Sequence, residues 1–156
     1  MRINILLSLL LVSVFVAGCA THRGASDSFA EVAPEPRLLD TYWQLVELNG
    51  EPFFSALGHE REPHILFQEL DQRVFGSGGC NRFFGGFELM DGDRIRLSRL
   101  ASTMMACPNL DQEQTYLRAL EATRTFAISQ NKLSFKDASG KAVARFQAVA
   151  IAESEE

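Results

Sequence analysis

No apolar run in this chain is long enough to cross a bilayer as a helix. The longest, Ile3 to Val16, has fourteen mostly apolar positions. As a helix they would reach roughly 21 Å, against a hydrocarbon core of about 30 Å. Basic residues form no block, and the 15 Lys and Arg are outnumbered by 20 Asp and Glu. That balance argues against nucleic acid as a partner. There are only three cysteines, Cys19, Cys80 and Cys107, and none stands in a Cys-x₂₋₄-Cys knuckle. A structural zinc site built from Cys80, Cys107, His59 and His64 therefore has no sequence support, and no metal or other cofactor is implied. The glycine run Gly76 to Gly86 ends without Gly-Lys-Ser/Thr and leads into another strand rather than a helix, so it is not a phosphate loop.

What is present begins at the N-terminus. Arg2 precedes the apolar run, which closes on Val16-Ala17-Gly18-Cys19. A basic start, a short greasy stretch and small residues before a cysteine form a secretory signal with a lipoprotein cleavage box. Residues 1–18 are read as a signal peptide. Cys19 is read as the lipid-attachment residue, its thiol carrying diacylglycerol by thioether linkage, with further acyl chains of the palmitate type. Each buried CH₂ contributes about 0.8 kcal/mol, and two or more chains give stable anchoring. The chain thus meets the membrane through lipid. Ala20 rather than Asp after Cys19 favours the outer membrane, and the periplasmic face is the expected side. Removing residues 1–18 takes away Arg2 and moves the net charge from −5 to −6.

Residues 19–37 lack an apolar period and include Pro34-Glu35-Pro36, which reads as a flexible tether. His22 lies within it. The folded domain is expected over residues 38–150, long enough for one core. With Cys19 taken by lipid, Cys80 and Cys107 form an even pair in an oxidising compartment, which points to a disulfide. The alternative is two buried free thiols that pack as small apolar groups. A bridge would close 28 residues, counting both ends, and contribute about 3.5 kcal/mol in the chain-entropy account.

Short β-prone segments dominate the domain. In the first, residues 40–48, Trp43 and Leu45 share one face, and Tyr42, Val46 and Leu48 take the other. Further strands are read at 65–67, 72–76, 87–89, 94–97 and 100–105, then 125–128, 132–136 and 142–147. Asn49-Gly50, Asp91-Gly92, Asn131 and Ser139-Gly140 supply turns. The one helix is expected at about 110–123. Asn109 is its candidate N-cap, with Gln112 three residues on, and Asp111 and Glu113 suit its N-terminal dipole. Leu110, Leu117 and Leu120 form its apolar stripe, with Tyr116 beside Leu120. The fold class is mainly β (α+β), a single antiparallel barrel-like sheet with one helix.

Candidate chemistry is thin. Cys80 with His59 or His64 as base would be the catalytic reading, but Cys107 offers Cys80 a simpler partner, and no catalytic residue is assigned. The two histidines read as surface-loop residues. Asn81 either bonds its own backbone or, with Thr103, pins the Cys80 and Cys107 segments together as buried polar residues. Phe53, Phe54, Phe83, Phe84 and Phe87 read as core before they read as a ligand pocket, as do Met104 and Met105.

Several of these segments together resemble a known family. Trp43-Gln44-Leu45 with Leu48-Asn49-Gly50, Gly78-Gly79-Cys80-Asn81-Arg82-Phe83 with Gly86-Phe87, Ser102-Thr103 with Ala106-Cys107-Pro108, and Leu117-Arg118-Ala119-Leu120 are similar to the META domain of HslJ-like heat-shock lipoproteins. The resemblance spans about residues 38–148. It implies an antiparallel barrel-like sheet with a helix, no catalytic activity, and an envelope lipoprotein linked to stress response. The anchor, the tether and a compact β domain without a catalytic cluster point to a monomer that contacts an unknown envelope protein, with an exposed edge strand as the contact; the abundance of aromatics motivates the alternative, carriage of a small apolar ligand in a barrel pocket. Met104 stands where the family often has a basic residue.

Overall fold

In a computed structural model of the chain, residues 35–53 and 61–149 are described. Cys19, the leader, most of the tether, Phe54 and His59 lie outside them. Ten strands and one helix follow in the order β1 (Tyr42–Leu48), β2 (Glu51–Pro52), β3 (His64–Gln68), β4 (Arg73–Ser77), β5 (Arg82–Leu89), β6 (Ile95–Leu97), β7 (Ala101–Ser102), α1 (Leu110–Ala122), β8 (Thr125–Ser129), β9 (Lys132–Lys136) and β10 (Ala142–Val149). Every pair of strands runs antiparallel. The sheet runs β6-β5-β4-β3-β1-β10-β9-β8, with β2 beside β1 and β7 beside β5. Its two ends meet: Arg94 and Thr125 form an antiparallel bridge. The amide of Ile95 donates to Arg124 O at 2.9 Å, and that of Phe126 to Asp93 O at 2.8 Å. The sheet is thus nearly closed into a barrel, which removes the exposed edges an open sheet would present.

Alternation along the strands sends one face inward. Ile65 and Phe67 of β3, Val74 of β4, Phe83 and Phe87 of β5, Leu133 and Phe135 of β9, and Phe146 of β10 are buried. Their rings pack edge to face along a chain: Phe87 on Phe67 at 5.1 Å between centroids, Phe67 on Phe135 at 6.0 Å, and Phe135 on Phe146 at 5.2 Å. Tyr116 of α1 extends it, 6.2 Å from Phe146 and 5.8 Å from Phe83. Gly76 is required here, because a Cβ at that position would overlap the Phe83 ring and the His64 carbonyl. The buried Trp43 indole donates to Leu38 O at 3.0 Å and ties the entering chain to the core.

Several local expectations are corrected. Leu48 is buried on the same side as Trp43 and Leu45, while Val46 is 38% exposed. The register with β10 shifts between Leu45 and Glu47; this bulge inserts a residue and reverses the parity beyond it. The strand read at 87–89 begins at Arg82 and runs through the Gly85-Gly86 pair. The segment read as a strand at 100–105 pairs only at Ala101 and Ser102. Met104 is 98% exposed and Met105 43%, not core, because that segment leaves the sheet at once. His64 sits on β3 rather than in a loop. Gln130, with φ of 56°, turns the chain in the β8–β9 hairpin.

The helix ends at Ala122, because Thr123 is extended and its hydroxyl donates back to Ala119 O at 3.0 Å. Asn109 stands at the N-cap without a side-chain cap bond. Its ψ of 29° departs from the extended backbone that aims a capping side chain at the second and third helical amides. The buried stripe is Glu113, Tyr116, Ala119 and Leu120, with Leu110 and Leu117 only partly covered.

Tyr116 is fully buried, and among the described residues its hydroxyl has no hydrogen-bond partner. Burial, with a smaller contribution from Tyr42, pushes its phenol well above the ordinary range. An unmatched buried hydroxyl costs about 1–3 kcal/mol. Tyr116→Phe keeps the ring contacts and removes the unmatched group. It is expected to raise the urea midpoint, by about 1 kcal/mol of stability; a fall of that size would show that the hydroxyl is bonded.

Candidate functional site

The turn between β4 and β5 carries Gly78-Gly79-Cys80-Asn81. Gly78 N donates to Asn81 O at 2.9 Å, and Gly79 N to the buried Ser77 Oγ at 3.1 Å. Gly79 takes φ of 112°, a conformation open to glycine. This turn faces the first part of α1, and Glu113 reaches it. Glu113 is 4% exposed. Its Oε2 accepts from the amide of Asn81 at 2.7 Å and of Cys80 at 3.3 Å, and its Oε1 accepts from Asn81 Nδ2 at 2.8 Å. A buried carboxylate without such donors would be strongly destabilising. The helix N-terminus also favours negative charge. Gly78 makes the approach possible, since a Cβ there would overlap Glu113 Cγ.

Asn81 continues the network rather than bonding its own backbone. Its Oδ1 accepts from Thr103 Oγ1 at 2.9 Å and from Met105 N at 2.7 Å. Arg82 N donates to the same Thr103 hydroxyl at 3.2 Å, and Thr103 N to Arg82 O at 3.0 Å. The structure also joins Cys80 to Cys107, with their Cα atoms 6.4 Å apart. Cys80, Asn81, Thr103 and Cys107 thus come together, Thr103 exposed rather than buried as expected because its segment has left the sheet, and Glu113 ties Cys80 and Asn81 to the helix. The segment from Thr103 to Cys107, which leaves the sheet after two paired residues, is held by this cluster.

The arrangement is saturated. Both sulfurs are in the bridge, and both Glu113 oxygens are engaged. His64, the proposed base, donates from Nδ1 to Glu62 O at 2.8 Å, and its ring stacks on Tyr42 at 4.5 Å. Burial, outweighing the Glu62 contributions, lowers its pKa. Among the described residues, no group of three His, Cys, Asp or Glu side chains is placed to hold a metal ion. Beside the cluster a surface cavity of about 360 Å³ opens, lined by Met104, Met105, Leu110 and Leu117, with Asn81 and Glu113 also on its wall. The barrel interior is filled by rings. Phe83 and Phe87 are buried in the core, Phe53 packs against it, and Phe84 is 45% exposed on the outer face.

The sequence marks Glu113 only as a helix-dipole residue and not as the acceptor for Cys80 and Asn81. Its signal was there: it stands three positions before Tyr116 and seven before Leu120, on the stripe that packs inward. A carboxylate on such a stripe needs donors from a neighbouring segment.

Glu113→Ala removes the acceptor for three donors and is expected to destabilise the oxidised protein by about 3 kcal/mol. Glu113→Gln, which keeps the shape and one acceptor oxygen, is expected to lose about half as much. Urea unfolding measures both; an unchanged midpoint for the alanine variant would remove Glu113 from its role.

Similarity to known proteins agrees with this geometry. Among curated proteins none matches the chain. One protein solved by NMR shares 27% identity and superposes with a TM-score of 0.53, over 69% of this chain and 87% of its own. A second NMR structure, of a protein from Burkholderia xenovorans, is 22% identical with a TM-score of 0.59, over 77% of this chain and 94% of its own. The latter shows the fold alone. Residues 36–150 match the META domain, and the chain belongs to the META domain family.

Proposed function

We propose that this is a non-catalytic, lipid-anchored envelope lipoprotein whose META domain serves as a contact module, in protein interaction or envelope maintenance under stress. The observation that carries the reading is the saturation of the polar cluster. Its cysteines, carboxylate, amide and hydroxyl are spent on one another, which makes a cross-linked scaffold and, among the described residues of the cluster, leaves no nucleophile beside a free base. The cleavage box at Val16-Ala17-Gly18-Cys19 supports lipid on Cys19, and Ala20 supports the outer membrane with the domain on the periplasmic face. Residues 19–37 then act as the tether. The exposed Met104-Met105 pair, adjustable and apolar, is the natural contact point.

Two experiments in cells test this reading. Cys19→Ser is expected to release the chain from the membrane fraction and to change the mass of the mature protein by the loss of its acyl chains; unchanged fractionation and mass would overturn the anchor. A photo-crosslinker at Met104 in the anchored protein is expected to capture a discrete envelope protein, and recovery of no specific adduct would count against the contact role.

A further inference from the structure

The outer face of β3, β4 and β5 carries a second cavity, of about 560 Å³, with Phe83 of the core also in its lining. Register sets its make-up. His64, Ser77 and Arg82 lie in one cross-strand row, and Leu66, Phe75 and Phe84 in the next. Arg73 follows, opposite Gln68 and Gly86. Arg61, Arg73 and Arg82 all line the cavity, with His64, Phe75 and Phe84. The Arg73 guanidinium lies 5.6 Å from the Phe75 centroid and 5.9 Å from that of Phe84. Among the described residues none of the three arginines has a carboxylate in salt-bridge range. Glu62 is the acidic neighbour whose charge reaches His64.

This is an unusual use of charge in a chain of net −5. Three guanidinium groups share one concavity, and each costs repulsion unless an anion is present. Arginine's planar fork suits phosphate or carboxylate, and its flat face stacks on rings. The exposed Phe84 leaves apolar surface on the same wall. The volume falls within the range of small-molecule sites, about 300–1,000 Å³. The cluster around Asn81 also sets this cavity: Arg82 follows Asn81, and Arg61 donates from Nη1 to Cys80 O at 3.2 Å and from its amide to Gly79 O at 3.0 Å.

We infer that the β3–β5 outer face binds a single amphiphilic anion, its phosphate or carboxylate head between Arg61, Arg73 and Arg82 and its apolar body on Phe75 and Phe84. This goes beyond the contact role proposed above and stands without it, since it needs neither the lipid anchor nor a protein partner. Such an anion has two sources: a soluble acid or phosphate ester, or an anionic membrane lipid.

The test uses the chain from Ala20 onward, without lipid, and amide chemical shifts in NMR titrations. Octyl phosphate below its micelle concentration is expected to bind saturably and to shift amides of β3, β4 and β5. Inorganic phosphate, which lacks the body, and octyl glucoside, which lacks the charge, are each expected to bind at least tenfold more weakly. Arg73→Gln with Arg82→Gln is expected to weaken octyl phosphate binding at least tenfold, and Phe84→Ala severalfold. All three side chains are exposed, and unchanged spectra elsewhere report an intact fold. Equal binding of octyl glucoside, or no effect of the arginine changes, would overturn the inference. So would recruitment to phosphatidylglycerol vesicles without binding of the monomeric ester, which would mean attraction to a charged surface and not a site. Binding of the ester together with competition by those vesicles would support the site and assign a lipid source.

Discussion

The fold turns on one carboxylate. Glu113 stands in the first part of the helix, inside the protein, and holds the backbone of Cys80 and Asn81 and the side chain of Asn81. A buried negative charge is stable only where donors surround it, so the helix cannot shift relative to the β4–β5 turn without exposing either the charge or the amides. The disulfide from Cys80 to Cys107 ties the same turn to the segment just before the helix. The bridge restricts the unfolded chain, whereas the carboxylate fixes the geometry of the folded one. Each constrains what the other leaves free.

The rest of the architecture follows from where this clamp sits. It docks the helix so that Tyr116 meets Phe83 on one side and Phe146 on the other, closing the chain of rings that fills the barrel. The sheet ends are joined separately, by the Arg94–Thr125 bridge. Asn81 carries the order outward to Thr103 and Met105 and so shapes the cavity under the methionines. Arg82, the next residue, points to the opposite face and joins Arg73 beside the exposed rings. One short turn therefore borders two different surfaces, one apolar and one cationic.

How far the sequence revealed this depends on the range of the interaction. Alternation in Lys132 to Lys136 and the turn at Ser139-Gly140 are local, and they marked the β9–β10 hairpin closely. The helix is legible to within a residue at its C-terminal end, because its periodicity is also local. The bulge that turned Leu48 inward depends on pairing with β10, a hundred residues away, and leaves no mark on β1 alone. Met104 and Met105 read as core from the sequence because side-chain type does not say where a strand leaves its sheet. Asn81 and Thr103 read as pins from the sequence, but Glu113, the partner of Asn81 and Cys80, reads as an ordinary acidic residue at a helix start. Its role depends on a glycine more than thirty positions earlier leaving it room. The three arginines of the outer face are scattered in sequence; strand register brings Arg73 and Arg82 to one face, and hydrogen bonds to the β4–β5 turn bring Arg61 beside them.

Amide hydrogen exchange at Asn81 is the most direct test of the clamp. If Glu113 holds the turn as described, the Asn81 amide exchanges only when the domain unfolds as a whole, at the protection of the Phe67 and Phe146 amides in the core strands. It should do so although a four-residue glycine-bearing turn would ordinarily exchange fast. Exchange of Asn81 at the rate of the exposed Asp91-Gly92 turn, with the core still protected, would contradict the account.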